Sequence, residues 1–299
     1  MDKLKGRLTI FTPTYNRVST IKRTYQSLCI QTCKDFEWLV IDDGSTDNTK
    51  EIMEEWIKEN KIPIRYIYKE NGGLYTGYNT AYANIDSEIA VCIDSDDFMP
   101  DNAVELILKC WKERGGPQYA GITGLDFTLD GKPIGGYFPV SLKEGHLIDL
   151  YLKKIHFGDT KQVMRTDLMK KFIPMEGFEG EKNFNPIYLL LQADNELPSL
   201  FLNENLCFVE YQQNDSMSAG IYNQYLNSPH SFAKMRRLEM SLKRNTLKNL
   251  IRVAIHYNSS TIIAKEKDWL KTSPKKILTL LTRPLGYLLT WYIKHKASV

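Results

Sequence analysis

Two stretches, Val40-Ile-Asp-Asp-Gly-Ser-Thr-Asp47 and Ile89-Ala-Val-Cys-Ile-Asp-Ser-Asp-Asp97, decide how this chain is read. In each, a short apolar run breaks abruptly into acids. A brief continuous apolar run bounded by turn formers is the pattern of a strand buried on both faces, as in a parallel sheet. Outward from these stretches, strand and helix patterns alternate. Leu8-Thr-Ile-Phe11 runs up to Pro13, Glu37–Ile41 stops at Asp42-Asp43-Gly44, and Ile64-Arg-Tyr-Ile-Tyr68 stops before the Asn71-Gly72-Gly73 turn. Between them Ile21, Tyr25, Leu28 and Cys29 recur at helical spacing, as do Ile52, Met53, Trp56 and Ile57 behind a cap from Thr46 or Asp47. Leu74–Ile85 predicts a third helix, and Val104, Ile107, Leu108 and Trp111 a fourth, closed by Gly115-Gly116-Pro117. Such alternation implies an α/β fold with right-handed crossovers and a mostly parallel central sheet.

After Pro117 the rhythm changes to short strand candidates (Tyr119–Gly124, Leu206–Tyr211), Gly-rich turns and a helical stretch over Phe184–Gln192. From Ser231 the chain reads helical to its end. Three regions follow: 1–115, an alternating strand–helix half; 116–230, a mixed half; and 231–299, a basic helical tail. With 299 residues and 42% hydrophobic content, disordered, collagen-like and small disulfide-bonded classes are excluded. The net charge of +3 argues against nucleic acid and hides an asymmetry. From Lys234 onward 15 Lys and Arg face three acids, a tail of +12 on a body of −9. Five scattered cysteines form no CxxC pair and read as reduced thiols of a cytosolic protein. The charged Met1–Arg7 is followed by only a brief apolar run, so no secretory signal is expected.

In an open parallel sheet, ligands bind beyond the carboxyl ends of the strands, where strand order reverses. Asp42-Asp43 and Asp94-Ser95-Asp96-Asp97 both fall at that edge. In extended chain Asp94 and Asp96 share a face, and Asp97 takes the bend. Three carboxylates in four residues repel one another unless a cation is bound. A hard divalent ion such as Mg²⁺ or Mn²⁺ uses one or two carboxylates and fills its remaining positions with phosphate oxygens. The chemistry is that of a metal–diphosphate site, against the blander reading of turns and helix caps.

Phe11-Thr-Pro-Thr-Tyr-Asn-Arg17, Val40–Asp47, Glu70-Asn-Gly-Gly73 and Asp94–Asp97 together resemble, in order and spacing, the motifs of family 2 glycosyltransferases of the GT-A fold. The segments Gly158-Asp-Thr, Arg165-Thr-Asp, Gly180-Glu-Lys182, Asn203–Leu206 and Val209–Tyr211 are similar to members that build bacterial capsule and other surface polysaccharides. The resemblance implies roles. Pro13 and Tyr15 line the nucleotide pocket, with Tyr15 against the base. Asp43, backed by Asp42, accepts from the base. Asn71, Gly72 and Gly73 let backbone approach the donor. Asp94 and Asp96 belong to the nucleotide-sugar site, Asp96 near the ribose or the metal. Asp96 and Asp97, the latter the firmest ligand, bind Mn²⁺ or Mg²⁺. Residues 1–115 are thereby the nucleotide-sugar-binding half and 116–230 the acceptor and catalytic half. Leu74 and Gly77 depart from the Lys and Ala that many relatives carry. The implied reaction is inverting sugar transfer from a nucleoside diphosphate sugar, by family habit a UDP-sugar, to a hydroxyl of a glycan or lipid-linked acceptor.

A single displacement needs one base on the acceptor side. The loop Met175–Lys182 offers Glu176, Glu179 and Glu181, and the Gly-Glu-Lys match selects Glu181. Tyr211–Ser218 is similar to a loop that closes over the diphosphate. His146, His156, His230, His256 and His295 show no metal spacing. In the tail, Ile277–Ile293 is too short for a span and carries Arg283-Pro284 near its middle. An interfacial helix pair at the inner face of the cell membrane fits better, with Tyr287, Trp291 and Tyr292 in the headgroup boundary; packing on a second subunit is the other reading. Two alternatives to sugar transfer stand beside it. A sugar-nucleotide nucleotidyltransferase calls for a Gly-rich basic N-terminal loop, which Thr12-Pro-Thr-Tyr-Asn is not, and a non-catalytic nucleotide-sugar-binding subunit tolerates loss of Glu181.

Overall fold

The apolar runs at 8–14, 36–42 and 89–92 become strands buried almost throughout, while the run at 64–68 is half-buried. In the computed structural model, which describes residues 8–210 and 220–297, the first is β1 (Leu8–Thr14), buried at every position. It is followed by α1 (Ile21–Cys29), β2 (Phe36–Asp42), α2 (Thr49–Glu59), β3 (Ile64–Tyr68), α3 (Leu74–Asn84), β4 (Ile89–Cys92) and α4 (Ala103–Arg114). Beyond these come β5 (Gly121–Phe127), β6 (Glu144–Gly145), α5 (Leu147–Leu152), β7 (Thr160–Arg165), α6 (Thr166–Met169), α7 (Ile187–Glu196) and β8 (Ser199–Phe208). Four helices complete the described chain: α8 (Ile221–Asn227), α9 (Pro229–Ser241), α10 (Leu247–Ile263) and α11 (Lys276–Ala297).

The eight strands form one mixed sheet in the order β3-β2-β1-β4-β7-β5-β8-β6. The first four are mutually parallel; β7 runs antiparallel between β4 and β5. The chain steps from β1 outward to β2 and β3, then returns to place β4 on the other side of β1. That reversal makes the β1/β4 boundary the switch point where an α/β sheet opens a crevice. It also decides the layering. With crossovers of one hand, helices after β1 and β2 cover one face and the helix after β3 the other. Accordingly Leu8 and Ile10 share a core with Ile21, Leu28, Met53, Trp56 and Val104, while Phe11 points the other way and meets Tyr78 and Tyr82 of α3 edge-on.

Three local expectations change. Pro13 lies inside β1, in register with Ile41, rather than ending the strand. The stretch 160–165 is a strand, although Thr160-Lys-Gln162 reads as polar surface in sequence. Arg283-Pro284 does not split the tail helix: α11 continues through Pro284. Proline there forfeits one helical hydrogen bond, to Leu280, on the exposed side of the helix, where water can take the freed carbonyl.

The chain divides into two compact units. The first comprises Met1–Gly72, Thr76–Met175 and Glu196–Glu210 and contains the whole sheet. The second comprises Gly73–Tyr75, Glu176–Asn195 and Tyr211–Val299 and is helical, with Ala233, Met240, Val253, Ala254 and Tyr257 as its core.

Candidate functional site

At the carboxyl edge of β1 and β2, two loops are stitched together by short polar side chains. Asn16, held at φ 52°, accepts the Thr46 N–H at 2.8 Å, and its own N–H reaches Ser45 Oγ at 2.9 Å. Asp47 accepts the N–H groups of Val18 and Thr49, each at 3.1 Å, and so ties the entrance of α1 to that of α2. Tyr15 stands at the head of this loop pair with 48% of its surface open, an aromatic face in reach of a planar ligand. Pro13 behind it is buried, and its ring packs against Gly77, where a methyl group would sit 3.3 Å away.

Asp42 and Asp43 close this edge in different ways. Asp42 is fully buried; Tyr66 donates to its Oδ2 at 2.5 Å and the Ser45 N–H to its Oδ1 at 2.7 Å. Both oxygens are engaged inside the protein. Asp43 faces the next loop: its Oδ1 receives the Lys69 ammonium, the Gly72 N–H at 3.0 Å and the Thr76 hydroxyl at 3.3 Å. Asn71 Nδ2 donates to the Asp43 carbonyl at 2.8 Å. Thus Asp43, Asn71 and Gly72 are brought together. Lys69, which carries no motif signal in the sequence, supplies a cation to Asp43. Gly73, at φ 92°, lies in the second unit, and any side chain there would collide with the Lys182 carbonyl at 2.4 Å.

At the end of β4, Asp94–Asp97 forms a tight turn closed by the Asp97 N–H to the Asp94 carbonyl, 3.0 Å. Helix α1 holds it from below: Arg23 donates to the Asp96 carbonyl at 2.5 Å and Thr24 to the Asp97 carbonyl at 2.7 Å. Backbone atoms absorb these bonds, which leaves the carboxylates to other partners. Lys161 on β7 lies 3.7 Å from Asp97 Oδ2 and 3.7 Å from Asp126 Oδ1, with all three side chains buried. Burial pushes the Asp97 carboxyl up to about 7; Lys161 works against this, and Asp94, Asp96 and Asp126 add to it. Asp126 is likewise pushed up to about 6, first by burial. Burial disfavours the Lys161 charge as well, yet the surrounding acids outweigh it and hold the ammonium above its ordinary range. Lys161 and Asp126 carried no motif signal; a lysine in a polar hexapeptide reads as solvent-facing until β7 is placed mid-sheet.

Asp97 and Asp126 therefore share one ammonium with Asp94 close enough to feel it, and the cluster is short of positive charge. That imbalance, and an all-oxygen donor set, fit a hard divalent cation at Asp96 and Asp97. Among the described residues no three His, Cys, Asp or Glu side chains converge on one point.

Glu181 belongs to the second unit and is 7% exposed. It lies against the first turn of α9: Oε1 accepts from the His230 N–H at 3.0 Å and pairs with His230 Nδ1 at 2.8 Å, and Oε2 accepts the Ser231 N–H at 2.7 Å. A carboxylate on the free N–H groups of a helix start stabilises that helix. Both its oxygens are engaged, and the half-exposed His230 ring also stacks on Phe178 at 5.3 Å. Glu176 is exposed and lies 3.9 Å from Lys234. The proposed lid, Tyr211–Ser218, falls outside the described residues.

Residues 9–123 match the family model of Glycosyl transferase family 2. Glycosyltransferase GlyA of Streptococcus pneumoniae is 35% identical over 173 residues, which cover 56% of this chain and 23% of that protein. Chondroitin synthase of Pasteurella multocida is 36% identical over 102 residues, 34% of this chain and 10% of that one. The match thus spans less than a quarter of either relative's length. Among solved structures, Staphylococcus aureus TarS 1–349 in complex with UDP-GlcNAc superposes with a TM-score of 0.63 at 15% identity, covering 97% of this chain and 90% of that 1–349 fragment. The mannosyltransferase PcManGT of Pyrobaculum calidifontis, in complex with GDP-Man and Mn²⁺, gives 0.55 at 16%, covering 98% and 83%. At such identities the likeness establishes the GT-A fold.

Proposed function

The chain belongs, through residues 9–123, to glycosyl transferase family 2, and on that premise we propose that it is an inverting, metal-dependent enzyme of surface polysaccharide synthesis. It moves a sugar from a nucleoside diphosphate donor, in our reading a UDP-sugar, to a hydroxyl of a glycan or lipid-linked acceptor. It works at the inner face of the cell membrane, with the basic C-terminal tail as its contact to that surface. The observation that carries the reading is the charge-deficient carboxylate turn Asp94–Asp97 at the β1/β4 switch point, beside the Asp43–Asn71–Gly72 cluster. The UDP-GlcNAc in complex with TarS and the GDP-Man in complex with PcManGT support a nucleotide sugar, and the Mn²⁺ of PcManGT supports a divalent ion.

In this reading Tyr15 stacks beside the base and Asp43 orients it by accepting a hydrogen bond. Lys69 fixes the Asp43 carboxylate, and the backbone at Gly72 and Gly73 approaches the diphosphate closely because no side chain intervenes. Asp96 and Asp97 hold the divalent ion, which when bound neutralises charge on the leaving diphosphate. Glu181 takes the proton of the acceptor hydroxyl as its oxygen bonds to the anomeric carbon and the carbon–diphosphate bond breaks on the opposite side. To do so it exchanges its bond from the His230 ring for one from the acceptor. No described helix is long and apolar enough to cross a membrane, so the contact proposed is peripheral.

Incubation with a panel of nucleotide sugars and a lipid-linked glycan tests this reading. Acceptor-dependent release of nucleoside diphosphate, raised by Mn²⁺ or Mg²⁺, is the expected result. Release of pyrophosphate from a nucleoside triphosphate and a sugar phosphate would contradict it.

A further inference from the structure

Helix α11 is turned inside out relative to the surface helix of a water-soluble domain, which buries its apolar face. Its buried positions are Thr279, Thr282, Gly286, Thr290 and Ile293. They pack on α10 through polar bonds. Asn258 Nδ2 donates to the Thr279 carbonyl at 2.8 Å and to Thr282 Oγ1 at 3.0 Å, and the Ser259 and Thr290 hydroxyls pair at 3.0 Å. Gly286 lets the backbones approach: a methyl group there would lie 2.4 Å from Asn258 Cβ. Arg283 is drawn into the same seam, bonding Thr261 Oγ1 at 2.8 Å and lying 4.0 Å over the Trp269 ring.

The opposite face carries the large apolar side chains. Ile277, Leu281, Leu288 and Trp291 are 78%, 72%, 63% and 68% exposed, and Leu280 and Leu285 lie with them. Spaced by three and four residues, they form one stripe along the helix. Lys275 and Lys276 stand at one end and Lys294 and Lys296 at the other. From Trp269 to Val299 there is no acid. In water such a face is costly; in the headgroup boundary of a bilayer it is the stable arrangement, with lysines meeting anionic lipid and aromatic rings at the polar level.

We propose that α11 lies in the plane of an anionic lipid surface, with the stripe Ile277–Leu281–Leu288 sunk to the headgroup–acyl boundary and Trp291 at the headgroup level. The polar seam with α10 explains why the helix rests on the surface rather than crossing it: Arg283 and the buried hydroxyls fasten it to the protein. A second copy is a poorer occupant, since stripe against stripe brings two acid-free, lysine-ended faces together. The contact refines the membrane side of the proposed function and needs nothing of the sugar chemistry.

Flotation of the full chain with vesicles, in the absence of any nucleotide, is the test. The protein is expected to float with phosphatidylcholine–phosphatidylglycerol vesicles and far less with phosphatidylcholine alone. Leu281→Glu, Leu288→Glu and Trp291→Glu alter exposed positions and should keep the wild-type melting temperature while lowering partition at least about tenfold each. Replacing Lys276, Lys294 and Lys296 by Gln should cost roughly fivefold per lysine and flatten the salt dependence. A wild-type chain that stays with the aqueous fraction would overturn the proposal, as would a triple Glu variant that floats unchanged. Dimers in sedimentation that the Glu variants dissolve, without vesicle binding, would assign the stripe to a second copy instead.

Discussion

The carboxylates after β2 and those after β4 occupy the same edge of one sheet but differ in the donors that meet them. Both Asp42 oxygens and Asp43 Oδ1 are engaged by the protein, through Tyr66, the Ser45 N–H, Lys69, the Gly72 N–H and Thr76. At Asp97 the only ammonium paired with it among the described residues, Lys161, is shared with Asp126, and the carboxyl rises to about 7. The first cluster has the construction of a fastener between loops, the second that of a seat still lacking charge. One residue type at one edge thus serves two purposes, and what separates them is the supply of hydrogen-bond donors.

That contrast breaks if substitutions in the two clusters behave alike. Asp97→Asn should lower turnover on the order of a thousandfold while leaving the melting temperature unchanged or raised, since it removes a poorly compensated buried charge. Nucleoside diphosphate release and calorimetry, run on the same samples, check both halves. Glu181→Gln should lower turnover about a hundredfold or more with nucleotide binding intact. Loss of stability with normal turnover would reduce Glu181 to a cap of α9. His230→Ala separates the roles, because it removes the ring contact and keeps the backbone bonds.

Asp42→Asn inverts the pattern. It should cost about 1–3 kcal/mol of stability by leaving Tyr66 or the Ser45 N–H poorly paired, and it should reduce turnover only modestly. Urea unfolding and initial rates decide it. In the second unit, burial and then Arg236 and Arg252 push His256 down to about 4 from 6.5. The unfolded chain binds that proton more readily, so stability is full above about pH 6.5 and falls as the pH drops toward 4. His256→Gln should flatten this part of the stability–pH curve by about 1–3 kcal/mol.

What the sequence discloses about this molecule follows the strength of its patterns. The β1–β4 half is legible because strands buried on both faces must be continuously apolar, and the chain can turn only where Asp, Asn and Gly interrupt them. Strand β7 is not legible: Thr160-Lys-Gln162 has no apolar alternation, and its central place depends on pairing with β4 and β5. Lys69 and Lys161 stay hidden for the same reason, since a lysine reads as solvent-facing until tertiary pairing shows the acid it meets. Pro284 misleads in the other direction. It signals a break, but one lost hydrogen bond on an exposed face is tolerated by a helix that the Thr–Asn seam holds along its length. Glu181 is legible as a candidate acid, whereas its hold on the start of α9 depends on residues some fifty positions away.

The most direct measurement is calorimetric titration of UDP-sugars into the wild-type chain and Asp97→Asn, each with and without Mn²⁺. The account predicts that the wild type binds a donor more tightly when manganese is present and that Asp97→Asn loses the manganese-dependent part alone. Absence of binding to any nucleotide sugar, or an Asp97→Asn chain with the full manganese effect, would contradict it.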